Sequence, residues 1–243
     1  MNQFSRTQLL FGRQAMQKFS QARIAIMGLG GVGSYAAEAL ARSGVQKFLL
    51  VDFDKVSLSN INRQLPAVHS NLGKLKTEAM RERILDINPQ AKIDIYSDFC
   101  AQESRDVLLQ DVDFVVDAID SLGPKVGLLA DCYSKNIPVI SVMGAASRFD
   151  PSQIELCDIS QTKMCPLAKR VRKFLRRQQI EKGIPVIYSK ENPIPQFSHE
   201  HGSKQEWGAE RGRKRGTLGS VIYMPAIMGM WAASYILRTL SGR

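Results

Sequence analysis

From residue 23 onward, short apolar runs of β type alternate with longer stretches in which apolar residues recur at helical spacing. This is the pattern of βαβ units feeding a mostly parallel sheet. Arg23–Met27 reads as a first strand. Residues 31–43, Ala-rich and ending before Gly44, read as a helix with a glycine just past its C-terminus, and residues 47–52 (KFLLVD) as a second strand. Residues 54–71 are polar and punctuated by Asn60, Asn62, Pro66 and Asn71, and a loop of that length inside a compact domain is usually functional. The pattern then predicts a helix over 73–87 stopped by Asn88 and Pro89, strands over 93–96 and 114–117, a helix opened by 121–124 and ending near Asn136, and a strand over 139–142 that closes the parallel set.

After Asp150 and Pro151 the alternation fades. An added strand is expected over 154–158 and a helix over 166–180, with Leu167, Val171 and Phe174 or Leu175 on one face and Lys169, Arg170, Arg172, Lys173, Arg176 and Arg177 over the rest. Residues 190–216 are rich in Pro, Gly and charge without periodicity, and read as a mobile or partner-ordered loop. Residues 220–240 are apolar over about the length of a membrane span. Pro225 near the start, Gly229 and Ser234 within and Arg238 in the last turn favour a core helix entered at proline. The fold class expected is α/β: a Rossmann-like, mostly parallel sheet with helices on both faces, formed by residues 1–150. Residues 151–243 form an extension packed on the same domain, with a basic helix, a loop and a final core helix.

Composition narrows the class without naming a function. With 44% hydrophobic and 23% charged residues among 243, the chain is globular rather than disordered or fibrous. The first residues, MNQFSRTQLLFGRQAM, lack the uninterrupted apolar core of a signal peptide, so the cytoplasm is the default compartment. Cys100, Cys132, Cys157 and Cys165 never form Cys-x-x-Cys, and neither disulfides nor a structural zinc are expected. Net charge is +10, and residues 163–215 alone hold fourteen Lys or Arg against five Glu and no Asp. Such a segment is either a surface that meets phosphates or a solvated basic face, and charge alone leaves both open.

Gly28-Leu29-Gly30-Gly31-Val32-Gly33 follows a strand and opens a helix, the setting in which a Gly-x-Gly-x-x-Gly motif offers free N–H groups and a positive dipole end to phosphate. Asp52 ends the next strand, where a carboxylate can accept both ribose hydroxyls of an adenosine. An adenine nucleotide follows, but not which one. A dinucleotide needs little cationic help beyond the helix N-terminus. A triphosphate attacked at its α-phosphorus needs cations on the departing pyrophosphate and a magnesium held by a carboxylate. Asn60, Asn62, Arg63, Lys74, Lys76, Asp117 and Asp120 supply such a set, with Asp117 and Asp120 at a strand end that faces the ligand crevice of an open sheet.

GLGGVG, LLVDFDKVSLSNINRQ, GKLKTEAMRERILDINP and VVDAIDS together resemble the nucleotide site of the ubiquitin-activating-enzyme superfamily, over roughly residues 5–145. Its bacterial members adenylate sulfur-carrier proteins or small carboxylates. The resemblance implies ATP and Mg2+ as cofactors, with Gly28, Gly30, Gly31 and Gly33 cradling phosphate and Asp52 on the ribose. It further implies that Asn60, Arg63 and Lys76 contact the phosphates and that Asp120 holds the magnesium. It implies a homodimer in which Arg6, in FSRTQLLFG, enters the neighbour's ATP site, so that Arg63, Lys76, Asp120 and Arg6 form the catalytic set.

Within the superfamily, DPSQIELCDISQTKMCPLAKRVRKFLRR, VIYSKENP and KRGTLGSVIYMPAIMGMWAASYIL resemble the tRNA threonylcarbamoyladenosine dehydratases, which activate a carboxylate on a modified tRNA adenosine and cyclise it with loss of water. The partner implied is tRNA, which the basic segment suits, with Lys169 to Arg177 and Arg211 to Arg215 as its contacts. A sulfur-transfer protein is a further candidate partner. Residues 190–217 contain no cysteine, which disfavours a self-thioester, and cyclisation by a neighbouring group of the same nucleotide needs none. Cys165 reads as a small packed residue before it reads as a chemical one. His199 and His201 lack a third ligand for a metal, and His69 reads as structural. The alternatives are an adenylyltransferase for the C-terminal glycine of a sulfur-carrier protein and a non-catalytic, nucleotide-responsive tRNA-binding protein. A nicotinamide oxidoreductase would leave the phosphate-site cations unexplained.

Overall fold

The computed structural model describes residues 2–195 and 218–243. Two short helices, α1 (Ser5–Phe11) and α2 (Arg13–Gln21), open the chain, with Phe11 packed edge-on to Phe19. The sequence pattern did not predict them, because α2 buries only Ala15 and Phe19 and α1 buries nothing. The alternating part follows as β1 (Arg23–Met27), α3 (Gly33–Arg42), β2 (Lys47–Val51), α4 (Lys76–Ile87), β3 (Lys92–Tyr96), α5 (Gln102–Leu108), β4 (Phe114–Asp117), α6 (Leu122–Ser134) and β5 (Val139–Val142). The extension adds β6 (Ile154–Asp158), α7 (Pro166–Arg176), β7 (Pro185–Ser189) and α8 (Tyr223–Ser241).

All seven strands form one sheet in the order β3-β2-β1-β4-β5-β7-β6, parallel except for β6, which runs antiparallel to β7 at the edge. Successive residues of each central strand bury against opposite layers. Ile24, Ile26, Phe48, Leu50, Phe114 and Val116 meet the layer that includes α3 and α8, whereas Ala25, Met27, Leu49, Val51 and Val115 meet that of α6 and α7. A strand covered on both faces reads as a continuous apolar run, which is why the bounds of β1, β4 and β5 match the sequence expectation.

Two expectations are corrected. The parallel set does not close at β5, because β7 inserts between β5 and β6 and pairs parallel to β5 through Ser141 with Val186 and Val142 with Ile187. Pro185 at the first strand position and the short run after it hid this strand. The basic helix stops at Arg176 rather than 180: Gln179 takes φ +62°, and Ile180 N–H returns to the Leu175 carbonyl oxygen at 3.0 Å.

The last helix is a core element. Met224, Met228, Ala232 and Ile236 line its buried stripe, and Gly229 lies against the start of α3, where a Cβ would overlap the Val32 carbonyl oxygen and come within 3.1 Å of Ala36 N. Among the described residues no helix is long and apolar enough to cross a membrane. Since a side chain at 229 must push α8 off backbone that cannot yield, Gly229→Ala is expected to lower stability by about 1–3 kcal/mol. Chemical denaturation measures it, and an unchanged midpoint would refute the close approach.

Candidate active site

The site is assembled at the carboxyl edge of the parallel strands, where the chain leaves β1, β2 and β4. Gly28 takes φ +96°, and a Cβ there would meet the Ala118 carbonyl oxygen at 2.9 Å; a Cβ on Gly33 would overlap the Gly28 carbonyl oxygen. These two glycines are demanded by backbone packing. Gly31 faces Arg63 O and Pro225, each at 3.1 Å from a Cβ position, which seals the turn against α8 and the following loop. Gly30 differs: a Cβ there would have only the Gln64 Nε2 nearby, at 3.9 Å. A side chain at 30 would thus fill the space above the N-terminus of α3, where an anion is favoured by free N–H groups and the helix dipole.

Asp52 stands just past β2 and is 8% exposed. Its Oδ2 accepts from Leu29 N at 2.6 Å and its Oδ1 from Asp54 N at 2.9 Å, so the carboxylate ties the glycine turn to the loop after β2. Burial pushes its pKa above the usual value, opposed mainly by the Lys76 ammonium. Lys76, at the start of α4, pairs with Asp54 at 2.7 Å and lies 3.8 Å from Asp52. Arg63 Nη1 donates to Ser59 O at 2.8 Å and Asn62 Oδ1 at 2.9 Å, holding the guanidinium in the loop beside the glycine turn. Asn60 is buried and its Oδ1 accepts from Ser57 N, so part of its function is to shape this loop.

Asp120 is exposed three residues beyond β4, with Ser121 Oγ donating to its Oδ1 at 3.1 Å. Beneath it lies a fully buried ion pair: Lys125 Nζ meets Asp117 Oδ2 at 2.7 Å, both side chains having no exposure. The same oxygen accepts from Ser141 Oγ at 2.5 Å, and Asp117 Oδ1 accepts from Ile119 N at 3.1 Å. Asp117 thereby joins β4, β5, α6 and the turn that carries Asp120. Among the described residues no three His, Cys, Asp or Glu side chains could hold a metal together. A magnesium that shares its shell with phosphate oxygens needs only one or two carboxylates, and an exposed carboxylate beside the phosphate position fits that demand.

Arg6 is not part of this assembly within one chain. It is exposed on α1, whose neighbour Phe4 packs at Gly44 and whose Gln3 reaches the Ile87 carbonyl oxygen, at the C-terminal ends of α3 and α4. Those ends lie about 15 Å, the length of α3, from the glycine turn. Cys165 is buried in the core. His199, His201 and the basic group Arg211, Arg213, Lys214 and Arg215 lie outside the described residues.

Two residues went unremarked in the sequence. Gln64 and Arg148 are buried and carry side-chain atoms without a hydrogen-bond partner among the described residues, Oε1 in the first, Nε and Nη2 in the second. Gln64 directly follows Arg63 and faces Gly30, a proximity the sequence could have signalled; nothing local marks Arg148.

A doubly wound sheet with a glycine turn at the head of α3, a buried carboxylate just past β2 and basic side chains beside that turn is the architecture of a nucleotide-binding α/β protein. The chain belongs to the ThiF family, whose model matches residues 4–243. It is 38% identical over 243 residues to the tRNA threonylcarbamoyladenosine dehydratase of Bacillus subtilis, covering 99% of this chain and 95% of that protein. It is 41% identical over 174 residues to the tRNA threonylcarbamoyladenosine dehydratase of Escherichia coli, covering 71% of this chain and 65% of that protein. The crystal structure of E. coli tRNA N6-threonylcarbamoyladenosine dehydratase in complex with ATP is similar with a TM-score of 0.86 at 33% identity, over 99% of this chain and 94% of that chain.

Two outcomes follow from the geometry. Gly30→Ala should keep the stability of the parent within about 0.5 kcal/mol while weakening ATP binding about tenfold or more; equal ATP affinity by calorimetry would place the phosphates elsewhere. An ionised Asp52 accepts hydrogen bonds from hydroxyls and a protonated one presents a donor, so ATP affinity should fall as pH drops through its raised pKa. The loss should begin above the ordinary carboxylate range, and titrations at successive pH values in the parent and in Asp52→Asn, where that dependence should vanish, check it.

Proposed function

We propose that this chain is an ATP-dependent tRNA threonylcarbamoyladenosine dehydratase, which activates the carboxylate of the threonylcarbamoyl group on the adenosine next to the anticodon and closes it into a ring. The observation that carries this reading is similarity over site and extension together to proteins of that name, one of them seen with ATP. A carboxylate oxygen of the substrate attacks the α-phosphorus of ATP, and the bond to pyrophosphate breaks. A neighbouring group of the same nucleotide then attacks the acyl carbon at high effective molarity. The activated oxygen leaves with AMP, and the attacking group gives up its proton.

In this mechanism the backbone of Gly28, Gly30, Gly31 and Gly33 receives phosphate, Asp52 holds ribose, and Asn60, Arg63 and Lys76 steady the charge that develops on pyrophosphate. Magnesium held by Asp120 would supply further neutralisation of that charge. Arg6 completes the set from a second copy. Its placement on α1, at the opposite end of α3 from the glycine turn, supports action across a homodimer rather than within one chain. Leu9 and Leu10, 85% and 66% exposed on the same helix, supply apolar surface for such an interface. The sulfur-transfer partner rests on the resemblance alone, and a cytoplasmic location is part of the same reading.

The tRNA surface proposed is α7, where Lys169, Arg170, Lys173, Arg176 and Arg177 are exposed on a helix that buries Ala168, Val171 and Leu175 beneath them. Arg172 is withdrawn from that surface, since it turns back to donate to the Thr162 carbonyl oxygen at 2.9 Å.

Pyrophosphate should be released from ATP with tRNA that carries the threonylcarbamoyl group and not with the same tRNA lacking it; release with a small protein ending in Gly-Gly instead would replace this reading by the carrier-protein one. Changing Lys169, Arg170, Lys173 and Arg177 together to Glu should weaken tRNA binding by about tenfold or more and flatten its salt dependence, with ATP affinity unaltered. Unchanged tRNA affinity would remove α7 from the interface.

A further inference from the structure

The loop that leaves β5 begins at the same carboxyl edge of the sheet as the glycine turn and Asp120. It shares a support with the Arg63 loop. Ser147 N donates to Gly219 O at 2.9 Å, Asn62 Nδ2 donates to Ser220 O at 3.1 Å, and Asn62 in turn accepts from Arg63. Residues 219 and 220 thus bridge the phosphate-side loop to the loop after β5, and a Cβ on Gly144, where that loop starts, would meet nothing within 4 Å.

Arg148 lies in this loop and is 6% exposed. Its Nη1 donates to the Ala146 carbonyl oxygen at 2.9 Å, while Nε and Nη2 are buried without a hydrogen-bond partner among the described residues. Among the described residues, the carboxylates that hydrogen-bond within this loop are committed elsewhere. Glu191 accepts from Phe149 N and Asp150 N, and Asp150 accepts from Ser152 N. A guanidinium keeps its charge in a protein, and a buried charge with no counter-ion destabilises the fold that holds it. Two buried donors, Nε and Nη2, left open among the described residues suit an anion that arrives with the substrate.

We infer that Arg148, in the loop that leaves β5 at the carboxyl edge of the sheet, receives the carboxylate of the acyl substrate, the group that attacks ATP. The inference rests on the adenylating reading proposed above. Nε and Nη2 form the edge of the guanidinium that matches two carboxylate oxygens side by side. The phosphates of ATP already have the glycine turn, Arg63 and Lys76. RNA backbone phosphates are met by exposed cations such as those of α7, whereas a guanidinium buried as deeply as that of Arg148 suits a slender anionic group rather than the RNA backbone.

The test compares Arg148→Met and Arg148→Lys with the parent, reading tRNA binding, ATP binding and thermal stability. Modified tRNA should bind Arg148→Met about 100-fold more weakly than the parent, down to the level of tRNA lacking the threonylcarbamoyl group. Affinity for that unmodified tRNA, and for ATP, should not change. Arg148→Lys, which keeps charge without the fork, should fall between. The melting temperature of Arg148→Met should equal or exceed that of the parent, because an uncompensated charge has been removed; a structural arginine would lower it. Equal losses for modified and unmodified tRNA would assign Arg148 to the RNA backbone and overturn the proposal, as would loss of ATP affinity or a lowered melting temperature in both variants. If the parent itself fails to distinguish the two tRNAs, the dehydratase reading falls, and the Arg148 inference falls with it; failure in the variants alone leaves that reading standing.

Discussion

Three stretches of backbone meet at the start of α3 with no side chain between them. The Gly28 carbonyl oxygen lies against Gly33, the Val32 carbonyl oxygen against Gly229 of α8, and the Arg63 carbonyl oxygen against Gly31. Everything at the site takes its position from this junction. It sets the direction in which the N-terminus of α3 points its amide groups, it holds the Asn60 to Gln64 loop over that terminus, and it brings the last helix of the chain against the first glycine turn. A distance of backbone to backbone is less compliant than a distance between side chains, which have rotamers to spend. The carboxyl edge of the sheet is therefore stiff at the glycine turn, and the adjustable groups there include Arg63, Lys76 and Asp120.

The electrostatics is arranged in the same order. Asp52 is buried and held by two backbone N–H groups, Lys76 is slightly more buried between Asp52 and Asp54, and Asp120 is exposed. Moving outward from the sheet, the carboxylates pass from fixed to accessible. On the other layer, α7 turns Lys169, Arg170, Lys173 and Arg176 outward and buries Ala168, Val171 and Leu175, while Arg172 turns back to Thr162.

The fold was legible wherever a residue's neighbours along the chain decide its structure. β1, β4 and β5, buried on both faces, announce themselves as apolar runs between turns, and the glycine turn is marked by residue type and context. The start of α3 was read two residues early, because Gly31 and Val32 belong to the turn. What failed was the non-local part. The insertion of β7 between β5 and β6 is a matter of which strands pair, and α1 buries none of its residues, while the helical period of α2, which buries Ala15 and Phe19, went unread. At the site, the glycines and Asp52 stood out by spacing. Arg148 did not, because an arginine that ends up buried without a counter-ion among the described residues has the same letter as one on the surface. Asn60 was read as a phosphate contact only, although its carbonyl also shapes the loop.

The buried pair of Lys125 and Asp117 sets a limit on how this sequence can drift. Removing either partner leaves the other as an isolated charge in a site with no exposure, a loss of about 3–5 kcal/mol, while replacing both by apolar residues of similar volume can be neutral. Single substitutions at these positions therefore lead downhill, and the neutral state lies two steps away. Ser141, sharing the same carboxylate oxygen, deepens that valley. A sequence that holds this pair is kept at it by the path rather than by the destination, and the turn beneath Asp120 rests on the same constraint.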